Sequence, residues 1–176
     1  MTAEEIIQKV TSGFGEKLQK AEVNLGDAVL FIAPESLHEV AAFLKEDPDL
    51  NFHYLSNITG VDYLGQDREP RFEAVYELHN MDANHSIRIR IGIEEESPAI
   101  DTVTDLWGGA VYPERELYDM FGFTINGMED PKRLIMPEGW EGHPLKRDYP
   151  LTTEDIAFSH NQDYKSELVQ TKPPTR

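Results

Sequence analysis

Three carboxylates and a guanidinium fall within six residues, Glu114-Arg115-Glu116 and Asp119, and a histidine with three further charges follows in His143-Pro144-Leu145-Lys146-Arg147-Asp148. Carboxylates beside a histidine could move protons, and clustered carboxylates could hold a cation. Helical geometry weakens both ideas. Each helical residue turns about 100°, so Glu114 and Glu116 would lie roughly 200° apart. Arg115 and Asp119 stand at i,i+4 and are expected to pair on one face, with Leu117 and Phe121 forming an apolar pair at the same spacing. This pattern favours structural and interface use. A free-standing acid/base enzyme using Glu114, Glu116, Asp119 and His143 is the alternative, and it requires an orienting carboxylate beside His143.

Other chemistries are excluded more firmly. The chain has no cysteine, so it can build no disulfide, thiolate zinc site or cysteine-ligated iron–sulfur cluster. Its histidines show no H-E-x-x-H spacing, and no metal site is expected. Gly13-x-Gly15 is followed by Leu18 where a dinucleotide fingerprint needs glycine, and no strand precedes it. Neither a phosphate-binding G-x-x-x-x-G-K-[ST] loop nor a G-x-S-x-G nucleophile elbow occurs. No catalytic, cofactor or metal residue is therefore expected on this chain.

The elements that must position these residues follow from periodicity. Thr2-Ala3-Glu4-Glu5 fits a capping box, and Ile6, Ile7, Val10 and Phe14 continue at helical spacing until the glycines at 13 and 15. Asn24-Leu25-Gly26-Asp27 is turn chemistry between strand candidates 18–23 and 28–33. Pro34 opens a second helix carrying Leu37, Val40, Ala41 and Leu44. Period-two runs then cover Phe72–Leu78 and Ile87–Ile93, joined by Asp82-Ala83-Asn84, with 57–64 as a partner strand. The order α-β2-α-β3 predicts an α+β fold, two-layered, with an antiparallel sheet and helices on one face. Pro113–Phe121 is expected as a short helix ended by Gly122, and residues 123–176 as an extended arm that becomes ordered by wrapping a partner, giving a body at 1–122 and the arm after it.

Charge divides the chain in the same way. The net charge of −17 lies wholly within residues 1–131, whereas residues 132–176 are neutral. An acidic body repels phosphate backbones and anionic lipid, so nucleic-acid binding and direct membrane contact are not expected. No apolar run approaches the roughly 18–20 residues that span a bilayer, and the polar N-terminus is unlike a secretory signal; both fit a cytoplasmic chain. In the arm, Trp140, Arg147 and Tyr149 are residue types that commonly anchor interfaces.

Two blocks, in order and at matching spacing, resemble the signature of the 30-kDa (C) subunit of respiratory complex I, the NADH-quinone oxidoreductase. The first is Glu114-Arg115-Glu116 with Asp119 and Gly122; the second is Arg133, Trp140 and Gly142-His143-Pro144-Leu145-Lys146-Arg147-Asp148-Tyr149-Pro150. Between them stands Gly127-Met128-Glu129, where the family usually carries Gly-His-Pro, and Lys146-Arg147 reverses the commoner order. The resemblance implies a cofactor-free scaffold subunit of the peripheral arm, docked on the 49-kDa (D) subunit beside iron–sulfur subunits. NADH, FMN, iron–sulfur clusters and quinone would belong to those partners. The assembly would be a hetero-oligomer on the cytoplasmic face of the cell membrane, touching lipid only through the complex. An equivalent subunit of a ferredoxin-, F420- or hydrogenase-linked relative is the nearest other reading.

Overall fold

Thr2 caps the first helix from both sides: its hydroxyl accepts from the Glu5 amide, and its own amide donates to the Glu5 carboxylate at 2.9 Å. The computed structural model describes residues 1–150 and the backbone of Thr153–Asp155 and Gln170–Lys172. Helix α1 spans Ala3–Phe14 and buries Ile6 and Val10. Strands β1 (Leu18–Asn24) and β2 (Asp27–Ile32) form a hairpin whose turn places Leu25 at φ 52° and Gly26 at φ 96°. Both angles are left-handed, as the twist of a two-residue hairpin loop requires. After Pro34, helix α2 (Leu37–Glu46) buries Leu37, Val40, Ala41 and Leu44, the stripe read from the sequence.

Strands β3 (Tyr54–Asp62), β4 (Phe72–Asn80) and β5 (His85–Ile93) complete a five-stranded sheet of order β1-β2-β5-β4-β3. The fold is α+β, as the element order predicts. One joint departs from a purely antiparallel sheet: β2 and β5 run parallel, with Leu30 opposite Ile89. The hairpins β1–β2 and β3–β4–β5 form locally, and the parallel pair is the seam where these two units meet. No local sequence signal specifies that seam.

One sheet face carries Leu30, Ile32, Ala74, Tyr76, Leu78, Ile87, Ile89 and Ile91 into a single core with α1, α2 and the region around Trp107 and Phe121. At roughly 25 cal/mol per Å² of apolar area, this layer supplies most of the driving force for folding. The other face is a ladder of ion pairs: Glu77 meets Arg88, and buried Glu73 meets Arg68 and Arg90. The period-two pattern therefore separates a greasy face from a charged one.

Beyond β5, strand β6 (Ala99–Asp101) pairs in parallel with β7 (Thr124–Asn126). Between them lies α3 (Val111–Glu116), which runs into a π-helical turn, Leu117–Phe121, closed by Gly122 at φ 74°. The stretch expected as an arm begins at 123, and its part up to Pro150 lies against the body. Phe123 is fully buried, its ring edge-on to Phe72 at 5.6 Å. The backbone segments Thr153–Asp155 and Gln170–Lys172, β8 and β9, pair in parallel. The remainder of the expected arm lies outside the described residues.

Candidate functional site

The two sequence blocks meet at the π-helical turn. There the Gly122 amide bonds to the Leu117 carbonyl, an i to i+5 bond. Asp119, within this turn, is fully buried. The expected Arg115–Asp119 pair is absent. Arg133 takes the partner's place, donating through Nη1 to Asp119 Oδ1 at 2.8 Å. The other oxygen, Oδ2, accepts three consecutive backbone N–H groups, from Leu134 (3.0 Å), Ile135 (2.7 Å) and Met136 (2.9 Å). Such a run of amides forms an anion-binding nest, occupied here by a side chain of the same molecule.

Burial by itself would raise the Asp119 carboxyl. The N–H groups of Met136 and Ile135, with the Arg133 guanidinium and the Leu134 amide, outweigh it and hold the group below the ordinary 3.8. Arg115 turns to the same loop by another route, donating to the carbonyls of Lys132 (3.1 Å) and Arg133 (3.3 Å).

The end of a helix leaves carbonyls without intrahelical donors, and the second block supplies them. His143 Nδ1 donates to the Asp119 carbonyl at 2.8 Å, and the Leu145 amide donates to the Met120 carbonyl at 3.0 Å. A carbonyl only accepts, so Nδ1 of His143 carries the proton. The imidazole also lies flat against Gly122, where an added Cβ would come within 2.6 Å of its ring. Glycine is needed at 122 for this approach as well as for its positive φ. Arg133 bridges onward to the Gly142 carbonyl at 3.2 Å.

A second buried carboxylate holds the end of the block. Asp62, at the last position of β3, accepts both Nε (2.9 Å) and Nη2 (2.8 Å) of Arg71, together with the amides of Leu64 (2.9 Å) and Arg147 (2.8 Å). Burial opposes ionisation here too, but the Arg71 bonds and the two amides win, holding the carboxyl at about 2. Arg71 reaches Asp148 at 3.0 Å and Glu95 at 2.5 Å as well, and its guanidinium lies 4.6 Å from the Phe72 ring centre. Lys146 sits 5.4 Å from the centre of that ring. Trp140 stacks with Tyr149 at 6.5 Å, and the Tyr149 ring lies against Gly142. Pro144 is half-buried and Pro150 exposed.

Asp62 and Arg71 carry no signal among the residues singled out from the sequence. The available hint was a lone Asp closing a strand, with Arg71 immediately before the next strand. Arg147 and Asp148, which they hold, lie about eighty residues onward, beyond the reach of any spacing rule.

The acid/base alternative fares poorly in this geometry. Glu114 is buried, its oxygens engaged by the Thr102 hydroxyl at 2.6 Å and the Val103 amide at 2.7 Å. Burial raises its carboxyl above the ordinary 4.5 despite those bonds. It borders a cleft of about 400 Å³ with Thr104, Asp105, Val111, Arg115, Met128, Glu129 and Asp130, which neither Asp119 nor His143 lines. Glu116 is half-buried and outside that cleft. His143 meets the backbone carbonyl of Asp119, not its carboxylate. Among the described residues, no group of three or more His, Asp or Glu is arranged to hold a metal. Met128, at the position where the usual histidine is replaced, packs against the core. Among the described residues no helix is long and apolar enough to cross a membrane.

The profile of the family described as respiratory-chain NADH dehydrogenase, 30-kDa subunit, matches residues 30–155. The NADH-quinone oxidoreductase C subunit of Roseiflexus castenholzii is 49% identical over 138 residues, 78% of each chain. That of Geobacter sulfurreducens is 36% identical over 81% of this chain and 83% of its own. Among solved structures, the trypsin-resistant fragment (1–134) of Nqo5 superposes with a TM-score of 0.62 at 33% identity, covering 72% of this chain and 97% of the fragment. A chain of an archaeal membrane-bound sulfane sulfur reductase shares the fold, with a TM-score of 0.68 at 24% identity over 84% of this chain and 85% of that one. The matched span takes in Glu114, Asp119, Arg133 and His143 together, and the chain belongs to the 30-kDa subunit family of respiratory-chain NADH dehydrogenase, as the C subunit of an NADH-quinone oxidoreductase.

Proposed function

We propose that this chain is a non-redox scaffold of the peripheral arm of a proton-translocating NADH-quinone oxidoreductase. It docks on the 49-kDa (D) subunit, on the cytoplasmic face of the membrane. NADH, FMN, iron–sulfur clusters and quinone are held by neighbouring subunits, and electrons pass through those neighbours. The observation that carries this reading is the commitment of the signature's charges to internal bonds. Asp119 receives four donors from residues 133–136, and Arg133 and His143 are spent on the same turn. Groups so engaged shape a surface and are poorly placed to exchange protons with a substrate.

The 49% identity to an NADH-quinone oxidoreductase C subunit supports this assignment over the ferredoxin-, F420- or hydrogenase-linked reading. The test is to purify the complex from native membranes and, separately, the isolated chain. The 49-kDa subunit should co-purify with the chain, and the isolated chain should show neither visible absorbance nor metal. A cofactor or metal near one per isolated chain, after stringent purification, would overturn the reading.

A further inference from the structure

We infer that the loop held by Asp119 is a preformed docking knob, whose Leu134 and Ile135, with Leu145 anchored on the same turn, enter an apolar socket with a basic rim on a different subunit of the complex. This rests on the reading above that the chain functions through its interfaces.

Leu134, Ile135 and Leu145 are 37%, 57% and 45% exposed, although each is a large apolar side chain. Their backbones are held firmly. The amides of Leu134 and Ile135 are fixed on Asp119 Oδ2, and that of Leu145 on the carbonyl of Met120, the residue after Asp119. Met136, the third residue of the nest, packs against the core. The nest thereby sends one side chain inward and its two predecessors outward. A loop that exposed leucine and isoleucine by chance would have no need of a buried four-donor anchor beneath it. Because the loop is already ordered, binding through it loses less conformational entropy than binding through a free loop would.

Charge selects the occupant. All of the net charge of −17 lies in residues 1–131, so a second copy would bring a like-charged body to the same place. The knob itself is balanced: Lys132, Arg133, Lys146 and Arg147 offset Glu138, Glu141 and Asp148 to within one charge. A neutral apolar projection from an acidic body fits a partner that is apolar at the contact and basic around it.

The test uses the assembled complex with this chain tagged. Leu134→Glu/Ile135→Glu is compared with Leu25→Glu, a change at a fully exposed leucine in the β1–β2 turn. Ile135→Ser is added as a milder change, and hydrogen exchange at amides 134–136 verifies that the nest persists. Recovery of the complex should fall at least about tenfold for the double variant, by an intermediate amount for Ile135→Ser, and not at all for Leu25→Glu. Wild-type recovery for the double variant would overturn the inference while leaving the proposed function intact. Wild-type recovery for Ile135→Ser, alongside loss of both complex and exchange protection in the double variant, would overturn it equally. A dimer of the isolated chain abolished by Ile135→Ser would make the knob a self-interface and overturn it too. Failure of the wild-type chain to bring down any other subunit would sink the proposed function itself.

Discussion

The two ends of the signature helix treat a buried carboxylate in opposite ways. Glu114 and Asp119 are 1% and 0% exposed, yet Glu114 is pushed up and Asp119 held down. Burial acts on both in the same direction, so the donors decide. Glu114 faces a threonine hydroxyl and one amide, whereas Asp119 faces three amides and a guanidinium. Burial acts on a neighbouring group too: the Tyr76 phenol is raised well above its ordinary 10.0, chiefly by burial and then by Glu114 and Asp101. The first end thus closes the body with a carboxyl whose ionisation burial opposes, and the second fastens a loop with one whose ionisation its donors favour.

Removing the stronger fastening should cost most. Asp119→Ala strands the Arg133 guanidinium and three amides, and is expected to destabilise the chain by about 3–5 kcal/mol in urea unfolding. Arg71→Gln, which deprives Asp62 of its bidentate partner, should cost about 2–3 kcal/mol by the same measurement.

The comparison can be sharpened by pH. Asp119 and Asp62 have depressed folded values, so their contributions are present above the unfolded value and disappear as pH falls through the folded one. For Asp62, that loss runs from the ordinary 3.8 down to about 2. Glu114 has a raised folded value, so its contribution is full below the ordinary 4.5 and disappears as pH rises through the folded value. Stability curves of Asp119→Asn should therefore lose acid sensitivity below about pH 4, and those of Glu114→Gln should lose a decline above about pH 4.5. The same sign of change in both variants would dissolve the contrast.

Smaller effects follow on the helix's outer side. Arg115→Ala removes two bonds to carbonyls and should cost about 1 kcal/mol, well short of breaking a buried ion pair. Glu116→Gln should stay within about 0.5 kcal/mol in the isolated chain. A large loss of assembled complex with Glu116→Gln would show that this carboxylate meets a partner.

Much of this arrangement was legible in the sequence where the interaction is local or periodic. The capping box at Thr2, the α2 stripe and the alternation through β4 and β5 are each written in neighbouring residues. The meeting of the two blocks was not: residue types suggested an arm from 123 onward, whereas Arg133, His143 and Leu145 bond back to the turn at Asp119 and Met120. What escaped was set by geometry outside the local pattern. The i,i+4 spacing suggested Arg115 as the partner of Asp119, but the carboxylate is buried against Arg133 and the amides that follow it. The parallel β2–β5 seam and the bond from the Arg147 amide to Asp62 join segments that share no local signal.

The central claim is that the signature charges build and hold this subunit and do not perform a reaction. Its most direct test is Asp119→Asn in the native complex, scored first for complex abundance on native gels and then for quinone reductase activity per assembled complex. The structure predicts reduced abundance with normal turnover in whatever assembles. Normal abundance with lost turnover would contradict it and return Asp119 to catalysis.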